Sequence, residues 1–83
     1  MDKADINRKV RWVIEDTLYV SLKDGPDDIQ LSDLGIDSLD AVDIAMRLDD
    51  EFQIEINDDD IQIDWTVNKL VDYIAGRLEE AGA

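Results

Sequence analysis

The 83-residue sequence contains no cysteine and no histidine. Without cysteine the chain has no disulfide, no thiolate metal site and no thiol nucleophile of its own. Without histidine it lacks the commonest general base and the commonest transition-metal ligand. Apolar runs stop at three residues, as in Trp12-Val13-Ile14, so no transmembrane helix or signal-peptide core is expected. These absences disfavour most catalytic constellations and predict a cytoplasmic protein.

Acidic residues are in large excess, with 22 aspartates and glutamates against 8 lysines and arginines and a net charge of −14. Residues 1–23 carry five basic and four acidic side chains, whereas residues 24–64 carry one basic and fifteen acidic side chains. Residues 65–83 carry two basic and three acidic ones. Because mixed charges suffice for solubility, this concentration predicts a basic protein partner, and it argues against nucleic acid and membrane insertion.

Apolar residues at helical spacing predict a first helix from Asp2 to about Tyr19, with Asp2 or Asp5 as its cap. The Gly25-Pro26 dipeptide then marks a turn. The loop around it is long for a small domain, and long loops need anchors in the core. Three apolar residues are predicted anchors: Ile29, Leu31 and Leu34.

A second helix is predicted to begin near Ser38, with Asp37 as its cap, and to end near Phe52. Steps of 100° place one set of apolar residues on a common face: Ala41, Ile44, Ala45, Leu48 and Phe52. A further set extends this face to one side: Leu39, Val42 and Met46. The opposite face is charged and consists of Asp40, Asp43, Arg47, Asp50 and Glu51. The pattern predicts an amphipathic helix with one acidic surface.

After this helix, Ile54 and Ile56 alternate with polar residues, and residues 57–60 can start one short helical turn that contains Ile61. A final helix is predicted to begin around residues 64–66 and to end before Gly82. No useful period-2 run is present. The sequence therefore predicts an all-α fold, a four-helix bundle with three longer helices and one short third helix, as a single domain over residues 1–83.

The most informative segment is residues 33–40, in which a glycine-containing turn leads to Ser38 in the first turn of the acidic helix. Ser38 has no histidine or cysteine partner, so it is a poor nucleophile. A phosphoester on Ser38 would lie near free backbone N–H groups and the positive end of the helix dipole. Ser38 is therefore interpreted as an attachment point rather than a catalyst.

Residues 34–40, Leu-Gly-Ile-Asp-Ser-Leu-Asp, resemble the attachment motif of acyl carrier proteins. The resemblance covers nearly the whole chain and includes Met46 and residues 48–52, 54–56, 66–67 and 71–74. It implies that a phosphopantetheinyl transferase attaches 4′-phosphopantetheine from coenzyme A to Ser38, between Asp37 and Leu39. It also implies a bundle with a short third helix.

The resemblance further implies a monomeric carrier without catalysis, which holds acyl groups as thioesters. It would pass them between acyl-transferring, condensing and modifying enzymes of fatty-acid or related lipid and polyketide synthesis, whose basic patches dock on the second helix. The implied docking residues are Asp37, Asp40, Asp43, Met46, Asp49 and Asp50. The implied acyl-binding residues are Val42, Ala45, Phe52, Ile56, Ile61 and Leu70.

Three residues depart from the family pattern. Arg47 replaces a small neutral residue on the acidic face, so it joins the candidate docking residues; it either pairs with Asp43 and Asp50 or repels enzymes adapted to the general carrier. Trp12 and Trp65 are bulky, and both are expected to fill the core, although Trp65 could also narrow an acyl pocket. These departures bear on the cargo rather than on the carrier role.

Other functions stay open. A carrier for an aminoacyl or other specialised group would use the same chemistry, whereas an unmodified acidic interaction module would leave Ser38 bare. A hydrolytic carboxylate pair lacks an obvious cleft in so small a chain. The acidic run 58–60 fits helix capping better than calcium, because the glycine and glutamate of an EF-hand loop are missing. No metal site is predicted, although weak divalent binding stays open.

Overall fold

The computed structural model describes residues 2–22 and 29–82, and these residues form three α-helices. Helix α1 spans Lys3–Leu18, α2 spans Ser38–Phe52 and α3 spans Val67–Gly82. The 3₁₀ turns Leu31–Leu34 and Asp58–Asp60 lie before α2 and α3. The all-α prediction is confirmed, and the short third helix is the second of these 3₁₀ turns.

Several predicted boundaries need correction. The second 3₁₀ turn ends at Asp60, so Ile61 follows it instead of lying within it, and Gly82 is the last residue of α3. Asp2 stands at the start of α1, but its side chain makes no capping hydrogen bond there. The predicted turn at Gly25-Pro26 lies outside the described residues.

The core forms where the apolar faces of the three helices meet. Helix α1 buries Ile6, Val10, Val13 and Ile14, and α2 buries the five residues predicted for its apolar face. The core part of α3 is Val67, Leu70, Val71 and Ile74. The residues that extend this face to one side, Leu39, Val42 and Met46, are exposed, so only the central part of the apolar face is buried.

The segment before α2 is held in place by the segment before α3. Leu31 N donates to Trp65 O at 2.8 Å, Ser32 N donates to Ile63 O at 2.8 Å, and Val67 N donates to Ile29 O at 3.0 Å. Leu31 is buried, and Ile29 and Leu34 pack against the core. These three loop anchors are therefore confirmed, and they fix the point from which α2 starts.

The residues before α3 are fixed by polar and aromatic contacts. The Tyr73 hydroxyl donates to the Asp60 carboxylate at 3.0 Å, and burial together with this hydrogen bond raises the pKa of Tyr73. The Trp65 ring lies 5.5 Å from the Tyr73 ring between centroids, and the ring packs against the core. The expected core role is therefore confirmed for Trp65. It is wrong for Trp12, whose side chain is 56% exposed.

Two glycines provide a matched test of the turn that leads into α2. Gly35 has φ +80, whereas Gly76 lies inside α3, and a Cβ at either position would contact nothing within 4 Å. We expect Gly35→Ala to lower the free energy of unfolding by about 1 kcal/mol, because an alanine is strained at positive φ. Gly76→Ala should raise it by about 0.5–1 kcal/mol. Urea unfolding measures both, and equal effects would contradict the assigned turn.

Candidate attachment site and docking face

The start of α2 is shaped by two aspartates that surround Ser38. Asp40 N donates to Asp37 Oδ1 at 2.9 Å, and Asp37 N donates to Asp40 Oδ2 at 3.4 Å. This reciprocal cap uses the sequence Asp-Ser-Leu-Asp and satisfies N–H groups that a helix start leaves free. The predicted cap at Asp37 is confirmed, and it fixes Ser38 as the first residue of the helix.

Ser38 itself is exposed, and its hydroxyl makes no hydrogen bond within residues 2–22 and 29–82. The backbone N–H groups of Ser38 and Leu39 also have no acceptor among these residues. Both N–H groups lie at the N-terminal end of α2, where the positive end of the helix dipole favours an anion. A phosphoester on Ser38 therefore fits this position, and the Asp37 carboxylate nearby is already occupied by Asp40 N.

The outer surface of α2 presents a ridge of four exposed residues, Leu39, Asp43, Met46 and Asp50, which we call the outer ridge. Leu39 is 78% exposed and Met46 is 65% exposed. The carboxylates of Asp43 and Asp50 have no ion-pair or hydrogen-bond partner in the described part of the chain. Apolar and anionic side chains thus alternate along the exposed side of the helix.

A groove of about 400 Å³ lies beside this ridge, on the side that faces the segment after α2. Its lining residues are Val42, Ala45, Met46, Asp49 and Ile56. Three of the implied acyl-binding residues thus line the groove, whereas Phe52, Ile61 and Leu70 are buried in the core.

Asp49 has a structural contact that its predicted docking role did not include. Its Oδ2 accepts a hydrogen bond from Ile56 N at 3.0 Å, and the residue is only half exposed. The contact holds Ile56 against the groove. No sequence pattern marks it, because the donor is a backbone N–H seven residues away.

Arg47 leans toward α1 and does not pair with Asp43 or Asp50. Its Nη1 donates to Asp16 Oδ2 at 2.9 Å and to Thr17 Oγ1 at 2.8 Å. The predicted pairing within α2 is therefore wrong. The guanidinium is paired with Asp16 of α1, so neither ridge carboxylate has Arg47 as its ion-pair partner.

Comparison with known proteins identifies the family to which a chain with this helix start and groove belongs. The family model for the phosphopantetheine attachment site matches residues 8–74. Acyl carrier proteins from two strains of Nitratidesulfovibrio vulgaris, DP4 and Hildenborough, are each 37% identical to the chain over 73 residues, which cover 87% of the chain and 96% of each relative. The chain belongs to the acyl carrier protein family.

The crystal structure of an acyl carrier protein from Thermotoga maritima agrees with the fold. It superposes with a TM-score of 0.80 at 27% identity and covers 98% of this chain and 95% of its own. The carrier bears covalent 4′-phosphopantetheine, as the resemblance implied. Members of the family act as carriers, which agrees with the prediction of a non-enzyme.

Two other observations concern metal binding and membrane insertion in the described part of the chain. No group of three or more acidic side chains is placed to hold a metal ion within the described ranges. No helix among these residues combines the length and the apolar character needed to cross a membrane.

Proposed function

We propose that Ser38 carries the 4′-phosphopantetheine of this acyl carrier. The observation that supports this most is an exposed serine at the start of α2 whose hydroxyl, and whose N–H together with that of Leu39, find no partner in the described part of the chain. The chain has two other serines, Ser21 and Ser32. Ser21 follows α1, and Ser32 lies inside a 3₁₀ turn with its N–H bonded to Ile63 O, so neither begins an α-helix.

The cofactor supplies a terminal thiol, which the chain lacks because it contains no cysteine. The residues of the chain provide the attachment point and its surroundings. Asp37 and Asp40 hold the helix start by their reciprocal hydrogen bonds. The N–H groups of Ser38 and Leu39 would then be available to a phosphoester on Ser38. The thiol would hold acyl groups as thioesters, and the carrier would move them between enzymes of fatty-acid or related lipid and polyketide synthesis.

The groove beside α2 is the proposed acyl-binding site. Its lining residues Val42 to Asp49 lie four to eleven residues after Ser38, which at 1.5 Å per residue is about 6 to 17 Å along the helix. Apolar walls from Val42, Ala45 and Ile56 suit an alkyl chain.

Partner enzymes would dock on α2 by its acidic and exposed apolar side chains. The proposed docking residues are the acidic Asp37, Asp40, Asp43, Asp49 and Asp50 and the apolar Met46, together with Arg47, whose guanidinium is paired with Asp16 of α1. The outer ridge supports this proposal, because its two carboxylates, unpaired among the described residues, attract a basic patch, and Met46 offers an apolar contact. The partners would include a phosphopantetheinyl transferase and acyl-transferring, condensing and modifying enzymes. A monomeric, single-domain carrier in the cytoplasm stays our prediction.

The test is the intact mass of the purified chain before and after incubation with coenzyme A and broad-specificity phosphopantetheinyl transferases. We expect one phosphopantetheine addition, which tandem mass spectrometry of the 24–47 peptide should locate on Ser38 rather than Ser32. Addition at Ser21 or Ser32 would refute the attachment site. No addition with several transferases would favour an unmodified acidic interaction module.

A further inference from the structure

A cleft between α1 and α2 lies on the opposite side of α2 from the acyl groove. It measures about 170 Å³ and is lined by Trp12, Val13, Arg47, Asp50 and Glu51. Trp12 forms its aromatic wall and is 56% exposed. A large aromatic ring left half in water forgoes much hydrophobic free energy, and such rings are enriched where a partner binds.

The charges around this cleft leave one carboxylate uncompensated. Arg47 Nη1 pairs with Asp16 Oδ2 at 2.9 Å, and Lys9 Nζ pairs with Glu51 Oε1 at 3.1 Å. Each cation is therefore matched by an anion. Asp50 has no such partner within residues 2–22 and 29–82. The cleft thus combines an exposed indole with a free negative charge.

We propose that this cleft binds an arginine side chain on the surface of an enzyme that docks on the carrier. A guanidinium is planar, so it can stack on the Trp12 indole while its N–H groups donate to the Asp50 carboxylate. A lysine ammonium is a compact, strongly hydrated charge and makes these two contacts less well. The cleft therefore selects arginine over lysine.

The position of the cleft gives this contact a consequence for docking. Asp50 lies twelve residues after Ser38, or about 18 Å along α2, and it belongs to the outer ridge as well as to the cleft. A partner that contacts the carrier at Ser38 and also inserts an arginine beside Trp12 is bound near both ends of α2. This inference rests on the proposed docking by α2, and it adds α1 to the docking surface.

The test compares hexa-arginine with hexa-lysine as ligands for the full chain, followed by the indole N–H signals in ¹H–¹⁵N spectra. The chain has two tryptophans, so two indole N–H signals are expected, and that of Trp65, whose ring already has Lys69 Nζ at 5.4 Å from its centroid, serves as the internal reference. We expect hexa-arginine to shift the Trp12 signal and to bind about three- to fivefold more tightly than hexa-lysine.

Three variants separate the cleft from general charge. Trp12→Leu and Asp50→Asn should each abolish the preference for arginine. Asp43→Asn, the matched control, removes the same charge elsewhere on the outer ridge, so it should weaken both peptides equally and keep the preference. Equal binding of the two peptides, or an unmoved Trp12 signal, would overturn the proposal. Loading of Ser38, assayed on the same preparation, reports the proposed function independently.

Discussion

Replacing Ser38 with alanine is expected to abolish phosphopantetheine loading completely, because the variant loses the oxygen that forms the phosphoester. The fold should survive, since Ser38 is exposed and its hydroxyl makes no hydrogen bond in the described part of the chain. The Asp37–Asp40 cap uses neighbouring residues and stays intact. The measurement is the intact mass after incubation with coenzyme A and a transferase that modifies the unsubstituted chain.

Ser32→Ala is the matched control for this experiment. Ser32 is also exposed and lies six residues earlier, but only its backbone participates in structure, through Ile63 O and Gly35 N. This variant should load fully, and circular dichroism should show the same helix content in both proteins. Loading that persists in Ser38→Ala would place the cofactor elsewhere and contradict the proposed site.

The helices could be predicted because their signals are local. The cap at Asp37 and the apolar residues of α2 lie within one segment, so the sequence alone places Ser38 at the helix start and orients its buried face. How far neighbouring elements cover that face depends on segments that are distant in the sequence. Leu39, Val42 and Met46 are left outside, because the elements around α2 do not extend over them.

The contacts of Arg47 and Asp49 could not be predicted for the same reason. Arg47 pairs with Asp16, thirty-one residues earlier, and Asp49 accepts from a backbone N–H that carries no residue-type signal. The exposure of Trp12, by contrast, could have been predicted from the sequence. The 100° steps that align the buried residues of α1 place residue 12 on the opposite side of the helix. The helical position of Trp12 therefore predicts an exposed side chain, although its hydrophobicity alone suggests a buried one.

Reversing one charge on the outer ridge is expected to slow docking strongly. Asp43→Lys changes the local charge by two units at a residue whose carboxylate has no partner in the described ranges. We expect kcat/KM for loading by a phosphopantetheinyl transferase to fall about tenfold at low salt, because steering toward a basic patch acts on the association rate. Asp40 is unsuitable for this test, since its side chain also accepts from Asp37 N.

The control is Glu79→Lys, which makes the same change in net charge on α3. Glu79 is exposed and has no ion pair within the described residues, so both variants should keep the stability of the parent chain. If docking uses the ridge, Glu79→Lys should lower kcat/KM far less than Asp43→Lys. The difference should shrink as ionic strength rises from about 0.01 M to about 1 M, where the Debye length falls from roughly 30 Å to roughly 3 Å. Equal losses in the two variants would mean that the transferase senses only total charge, and the ridge would then have no special part in docking.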